Sequence, residues 1–126
     1  MATAPDGAAA QNPRNGHQPV LAAVTVALLM AGRHGPCRVI DGTVGDGGHS
    51  SLILQTNTAA EVLGLDRDAE ALVRARRNLA FAHERVRLVH DRFGRLAACA
   101  NEQGWRSVDA VLLDLGVSSP QLDEPR

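Results

Sequence analysis

The sequence predicts an α/β fold, a doubly wound parallel sheet with helices on its faces. Three observations predict it. Short apolar runs recur at 38–41 (RVID), 61–66 (EVLGLD), 86–90 (VRLVH) and 108–115 (VDAVLLDL). Segments with helical periodicity lie between them. The first run opens into a loop with four glycines, Gly42, Gly45, Gly47 and Gly48, which leads directly into a helical segment. Strands alternating with helices imply right-handed βαβ crossovers and a parallel sheet. A strand, a glycine loop and a helix in that order form a nucleotide-binding arrangement.

Residues 1–16 (MATAPDGAAAQNPRNG) are small, polar and proline-bearing, which predicts a disordered tail. Pro19 suits a first helical turn. Val20, Leu21, Val24, Leu28 and Ala31 follow at helical spacing, and Gly32 ends the run. This stretch is too short to cross a bilayer, which takes about 20 residues. It also makes a poor signal-peptide core, because its long leader carries Asp6, a lone Arg14 and two prolines, and no small-residue cleavage site follows. An amphipathic helix packed on the domain is expected.

The run 38–41 is a short buried strand ending on Asp41, and residues 50–55 continue the helix that the glycine loop opens. The run 61–66 is the second strand. Asp68 caps a third helix, with Glu70 in its first turn favouring the helix dipole. Ala69, Leu72, Val73, Leu79 and Ala80 are expected on its apolar face, with Arg74 and Arg77 opposite. The third strand is 86–90, a helix follows over 96–103, and the fourth strand is 108–115, ending at Gly116. That last strand is the most apolar, and nothing downstream covers it. An uncovered apolar edge is a liability, so the chain is expected to be the N-terminal portion of a longer protein.

Composition narrows the function. At 126 residues with 44% hydrophobic content, the chain makes one domain or part of one. A net charge of −1 provides no global basic field to draw nucleic acid. Arg74, Arg76 and Arg77 read as a solvated helix face. With one Trp, two Phe and no Tyr, the chain has little on which to stack single-stranded bases. Cys37 and Cys99 lie far apart, as reduced thiols of a cytoplasmic protein. No zinc-like ligand spacing is present, so no metal site is expected.

The ligand follows from charge. In a doubly wound sheet, ligands bind at the carboxyl ends of the strands, near the switch point. Three strand ends carry Asp41, Asp66 and Asp114. Asp66 lies about 20 residues after Gly47, the spacing at which an acid meets ribose hydroxyls. Two ligands compete, a dinucleotide and S-adenosylmethionine. The dinucleotide fingerprint G-x-G-x-x-G fails after Gly45 and Gly47, because position 50 is Ser. Asp41 and Asp46 would also oppose a pyrophosphate, at a cost of about 3 kcal/mol for two like charges roughly 6 Å apart. A sulfonium cation would be favoured by the same carboxylates. Each Asp alone reads more readily as a turn or cap residue; three at strand ends of one sheet favour the methyl donor.

Four blocks in order carry a resemblance: HQPV at 17–20, DGTVGDGGHS at 41–50, LDRD at 65–68 and LLDLGVSSPQLD at 112–123. From His17 to Arg126 the chain resembles the ribosomal RNA small-subunit methyltransferase H family, which methylates N4 of a cytidine in 16S rRNA. The resemblance implies a Rossmann-like class I methyltransferase domain over residues 17–126, truncated after the fourth strand, using S-adenosylmethionine. By resemblance, Gly47, Gly48 and His49 line the methionine end of the donor, and Asp66 accepts the ribose hydroxyls. Phe93 packs on adenine, or else anchors the following helix to the core. Asp114 and Gln121 sit near the reacting methyl, and Asp41 braces the loop.

The cytosine N4 lone pair is delocalised into the ring, so an acceptor for an N4 proton helps, and positioning supplies much of the rest. Asp114, or a backbone carbonyl in 116–120, is the candidate acceptor; the rival view gives Asp114 a cofactor contact only. The family continues with an RNA-binding helical insertion and further strands. The 16S rRNA and the small subunit are therefore expected to bind through that remaining part, and this chain alone is expected to be inactive. Two other readings stay open: an NAD(P)-dependent dehydrogenase, and an inactive truncated relative acting as a binding module.

Overall fold

The computed structural model describes residues 19–114. The strands are β1 (Cys37–Asp41), β2 (Ala60–Asp66), β3 (Val86–His90) and β4 (Ala110–Leu112). The helices are α1 (Pro19–Leu29), α2 (Gly48–Thr56), α3 (Ala69–Asn78) and α4 (Leu96–Glu102). Short 3₁₀ turns span Ala80–Arg85 and Phe93–Arg95. The strands form one parallel sheet in the order β3-β2-β1-β4. The chain builds outward from β1 to β3, then returns to the other side of β1. This reversal puts a switch point at the carboxyl ends of β1 and β4, where Asp41 lies opposite Leu112.

Both faces of β1 and β2 are covered, which is why they read as near-continuous apolar runs. On one face Val39 and Val62 pack with Val26 of α1 and Met30 just past it, Ile53 and Leu54 of α2, and Ala75 and the C-cap Leu79 of α3. On the other, Ile40, Leu63 and Leu65 pack with Cys99 and Ala100 of α4, and Trp105 and Val108 join them. Cys37 and Cys99 are free buried thiols belonging to these two different clusters.

The element order and the parallel sheet agree with the sequence-based expectation. Asp68 is the N-cap of α3, its side chain accepting the Glu70 amide at 2.9 Å. Three details differ. In α1 the expected apolar face is the wrong one: Leu21, Val24 and Leu28 are exposed, Leu28 by 74%, and Val26 and Met30 are buried. The sequence of this helix, PVLAAVTVALL, is apolar almost all round, so its periodicity carries no phase, and packing on α2 and the sheet selects the side. In α3 the buried stripe is Ala71, Leu72, Ala75 and Leu79, whereas Ala69, Val73 and Ala80 face solvent. Alanines contribute little contrast, and Leu72 and Leu79 set the phase.

The fourth strand begins at Ala110, not at 108. Val108 turns into the α4 cluster, and Asp109 bonds back to both main-chain groups of Arg38. Val111 and Leu113 remain exposed among the described residues. No helix among them is long and apolar enough to cross a membrane. The tail 1–16 lies outside the described residues.

Candidate functional site

The loop between β1 and α2 rests on a buried carboxylate. Asp41, the last residue of β1, is 2% exposed. Its Oδ2 accepts the Ser50 hydroxyl at 2.7 Å, and its Oδ1 accepts the Thr43 amide at 3.3 Å. Burial pushes the Asp41 carboxyl up to about 6. The two hydrogen bonds and nearby His49 pull against burial, while nearby Asp114 adds to it. Asp41 therefore ties the end of β1 to the first turn of α2 from beneath the loop.

Asp66 closes the loop from the side. At the end of β2, its Oδ2 accepts the Gly45 amide at 2.8 Å and its Oδ1 accepts the Asp68 amide at 2.9 Å. A carboxylate has about four lone-pair positions, so each oxygen retains acceptor capacity. The Leu65 carbonyl holds the Val44 amide at 2.8 Å, and the Asn78 side chain donates to the Asp46 carbonyl at 2.9 Å.

The glycines divide by what surrounds them. Gly47, at φ 97°, precedes α2, and a Cβ there would lie 3.1 Å from Leu79 Cγ. Its missing side chain thus has a packing cause, whatever else it faces. At Gly42 a Cβ would come within 2.5 Å of Leu113 and 3.2 Å of the Phe93 Cβ. Gly45 and Gly48 differ: among the described residues a Cβ at Gly45 would meet nothing within 4 Å, and one at Gly48 only Asp46 Oδ1, at 3.9 Å. The open rim of the loop among the described residues therefore runs over Gly45 and Gly48, the latter next to an acidic side chain.

The remaining residues named from the sequence fall around this loop. His49 is half-buried in the first turn of α2, and its charge is felt at Asp41. Phe93 begins the turn after β3, with its Cβ beside Gly42 and 44% of its surface exposed. Asp114 is exposed just past β4, and its main-chain amide donates to Thr43 Oγ1 at 2.6 Å. Gln121 and residues 116–120 lie outside the described residues. A cavity of about 220 Å³ lined by Arg76, Leu79, His83, Val86 and Leu88 sits at the α3–β3 edge and receives none of the strand-end carboxylates.

Sequence reasoning missed Thr43, Ser50 and Asn78, which hold the loop. Thr43 and Ser50 stand within the DGTVGDGGHS block, but spacing does not reveal which distant group a hydroxyl meets. Asn78 carries no signal at all, ending a helix that reads as a charged surface segment.

Comparison with known proteins adds the following. The profile of the MraW methylase family matches residues 14–126. A protein named ribosomal RNA small subunit methyltransferase H from Solidesulfovibrio magneticus is 49% identical over 110 residues, covering 86% of this chain and 33% of that protein. One of the same name from Thermobifida fusca is 40% identical over 114 residues, covering 90% and 34%. The chain thus spans about a third of the length of these curated relatives. A SAM-dependent O-methyltransferase from Thermotoga maritima superposes with a TM-score of 0.60 at 21% identity, over 79% of this chain and 36% of that one. An rRNA methylase from Streptococcus thermophilus superposes at 0.57 and 20% identity, over 84% and 60%. At these identities the structures show a shared fold, the Rossmann-like methyltransferase sheet.

Proposed function

Because the chain belongs to the MraW methylase family, we propose that it forms the cofactor-binding part, residues 17–126, of a longer enzyme that methylates N4 of a cytidine in 16S ribosomal RNA. S-adenosylmethionine supplies a methyl group on a positively charged sulfur. The small ribosomal subunit in the cytoplasm is the partner, bound through parts of the protein beyond this chain.

The observation that carries this reading is the acidic, open rim of the glycine loop. Among the described residues Gly48 faces open space beside Asp46, and the Asp66 carboxylate accepts the Gly45 amide. A cationic donor fits this donor set, whereas a pyrophosphate would meet like charge. Gly47, Gly48 and His49 would flank the methionine end, and the spare lone pairs of Asp66 would take the ribose hydroxyls. Phe93, with its ring partly exposed, would cover adenine. Asp114 would accept the N4 proton, with Gln121 beside it. Removing that proton returns the amine lone pair to nitrogen, and holding the two reactants in line lowers the barrier further.

The test uses the full-length protein, S-adenosylmethionine and small subunits lacking the modification. Nucleoside mass spectrometry is expected to show N4-methylcytidine. An unmethylated product from active-folded protein, together with calorimetric uptake of NAD and none of the methyl donor, overturns the reading.

A further inference from the structure

β4 joins the sheet through β1, and the ladder ends where the Gly42 amide donates to the Leu112 carbonyl at 2.9 Å. Asp114 lies two residues past that point. Its main-chain amide donates to the Thr43 hydroxyl oxygen at 2.6 Å, a contact between residues 71 positions apart. Thr43 is held in turn, because its amide donates to Asp41 Oδ1, and the other oxygen of buried Asp41 accepts the Ser50 hydroxyl. Three hydrogen bonds therefore run from α2 through the glycine loop to the end of β4. A β-branched side chain is stiff at χ1, so Thr43 transmits the loop's position to Asp114 with little slack.

We propose that Thr43 is a positioning residue, which places the Asp114 carboxylate for its role in methyl transfer and makes that placement depend on the shape of the glycine loop. This inference rests on the function proposed above. Thr43 acts through the backbone of Asp114.

The experiment compares the full-length enzyme with Thr43→Val, which keeps the shape and removes the acceptor, and with Thr43→Ser, which keeps the hydroxyl. Thr43→Val is expected to lower kcat by about 10- to 100-fold, the scale of a small misplacement, with donor KM changed less than about threefold. Thr43→Ser is expected to recover most of the rate. Unchanged kcat in Thr43→Val, a loss confined to KM, or a Thr43→Ser enzyme as slow as Thr43→Val overturns the inference. Hydrogen exchange on the wild type provides a check without a variant: the Asp114 amide is expected to be protected, and exchange at the rate of an open loop overturns the link. A wild type without methyl transfer overturns the function and this inference with it. An active wild type matched by Thr43→Val overturns the inference alone.

Discussion

The Asp66 carboxylate accepts the Gly45 amide at 2.8 Å, joining the end of β2 to the glycine loop across 21 positions of sequence. Its other oxygen holds the Asp68 amide at the start of α3. One side chain thus fixes two main-chain segments and still offers acceptor capacity outward. Asp66→Ala is expected to leave two amides without their partner and to destabilise the chain by about 1–3 kcal/mol in urea unfolding. Asp66→Asn keeps one acceptor oxygen, so it should cost less stability while weakening donor binding in the full-length enzyme. Equal stability of Asp66→Ala and wild type would contradict the bracing role.

Gly47 and Gly48 are expected to separate. Gly47→Ala meets Leu79 at 3.1 Å and forces a side chain onto φ 97°, which costs about 1–2 kcal/mol for the left-handed backbone alone. Thermal unfolding should register that loss. Gly48→Ala has room for its methyl and should melt close to wild type. In the full-length enzyme Gly48→Ala should nonetheless bind the donor more weakly, since it intrudes on the open rim. Undiminished affinity would place the donor elsewhere.

Asp41 makes stability depend on pH in a definite direction. Its carboxyl is raised from 3.8 to about 6, so the folded chain binds a proton more tightly than the unfolded one. The favourable contribution is full below pH 3.8 and is lost as pH rises through about 6. The span corresponds to about 3 kcal/mol as an order of magnitude. Asp41→Asn should flatten the stability profile across this window while keeping partners for Ser50 and Thr43. Asp91, held below its ordinary value by Arg95, acts in the opposite sense at more acidic pH and does not enter the window. An unaltered profile in Asp41→Asn would show that other groups set it.

Arg85 grips the far end of α2. Its guanidinium donates to the Leu54, Asn57 and Ala60 carbonyls at 3.1–3.2 Å. A cation on the last carbonyls of a helix opposes the negative end of its dipole. Arg85→Ala is expected to cost about 1.5–3 kcal/mol by chemical denaturation. Arg85→Lys should restore only part of this, because an ammonium does not present the planar fork that spans three carbonyls.

Local chemistry made much of this protein legible in its sequence. The alternation of apolar runs and helical segments foretold the order of elements, and Val86–His90 has the bounds read from the sequence. Asp68 announced the start of α3, since a cap bonds within its own turn. The glycine block marked the loop, because positive φ at Gly45 and Gly47 is a property of single residues.

Tertiary structure decided what depends on distant partners. Helix α1 is apolar almost all round, so only docking against α2 and the sheet selected Val26 and Met30 for burial over Leu21 and Leu28. Gly47 is small because Leu79 lies against it, and Thr43 matters because Asp114 arrives from 71 positions away. A propensity or a cap acts within a few residues and is written in the local string. The partner of a buried polar atom or the phase of an evenly apolar helix is chosen when separate segments meet, since each must exclude water and satisfy its hydrogen bonds at once.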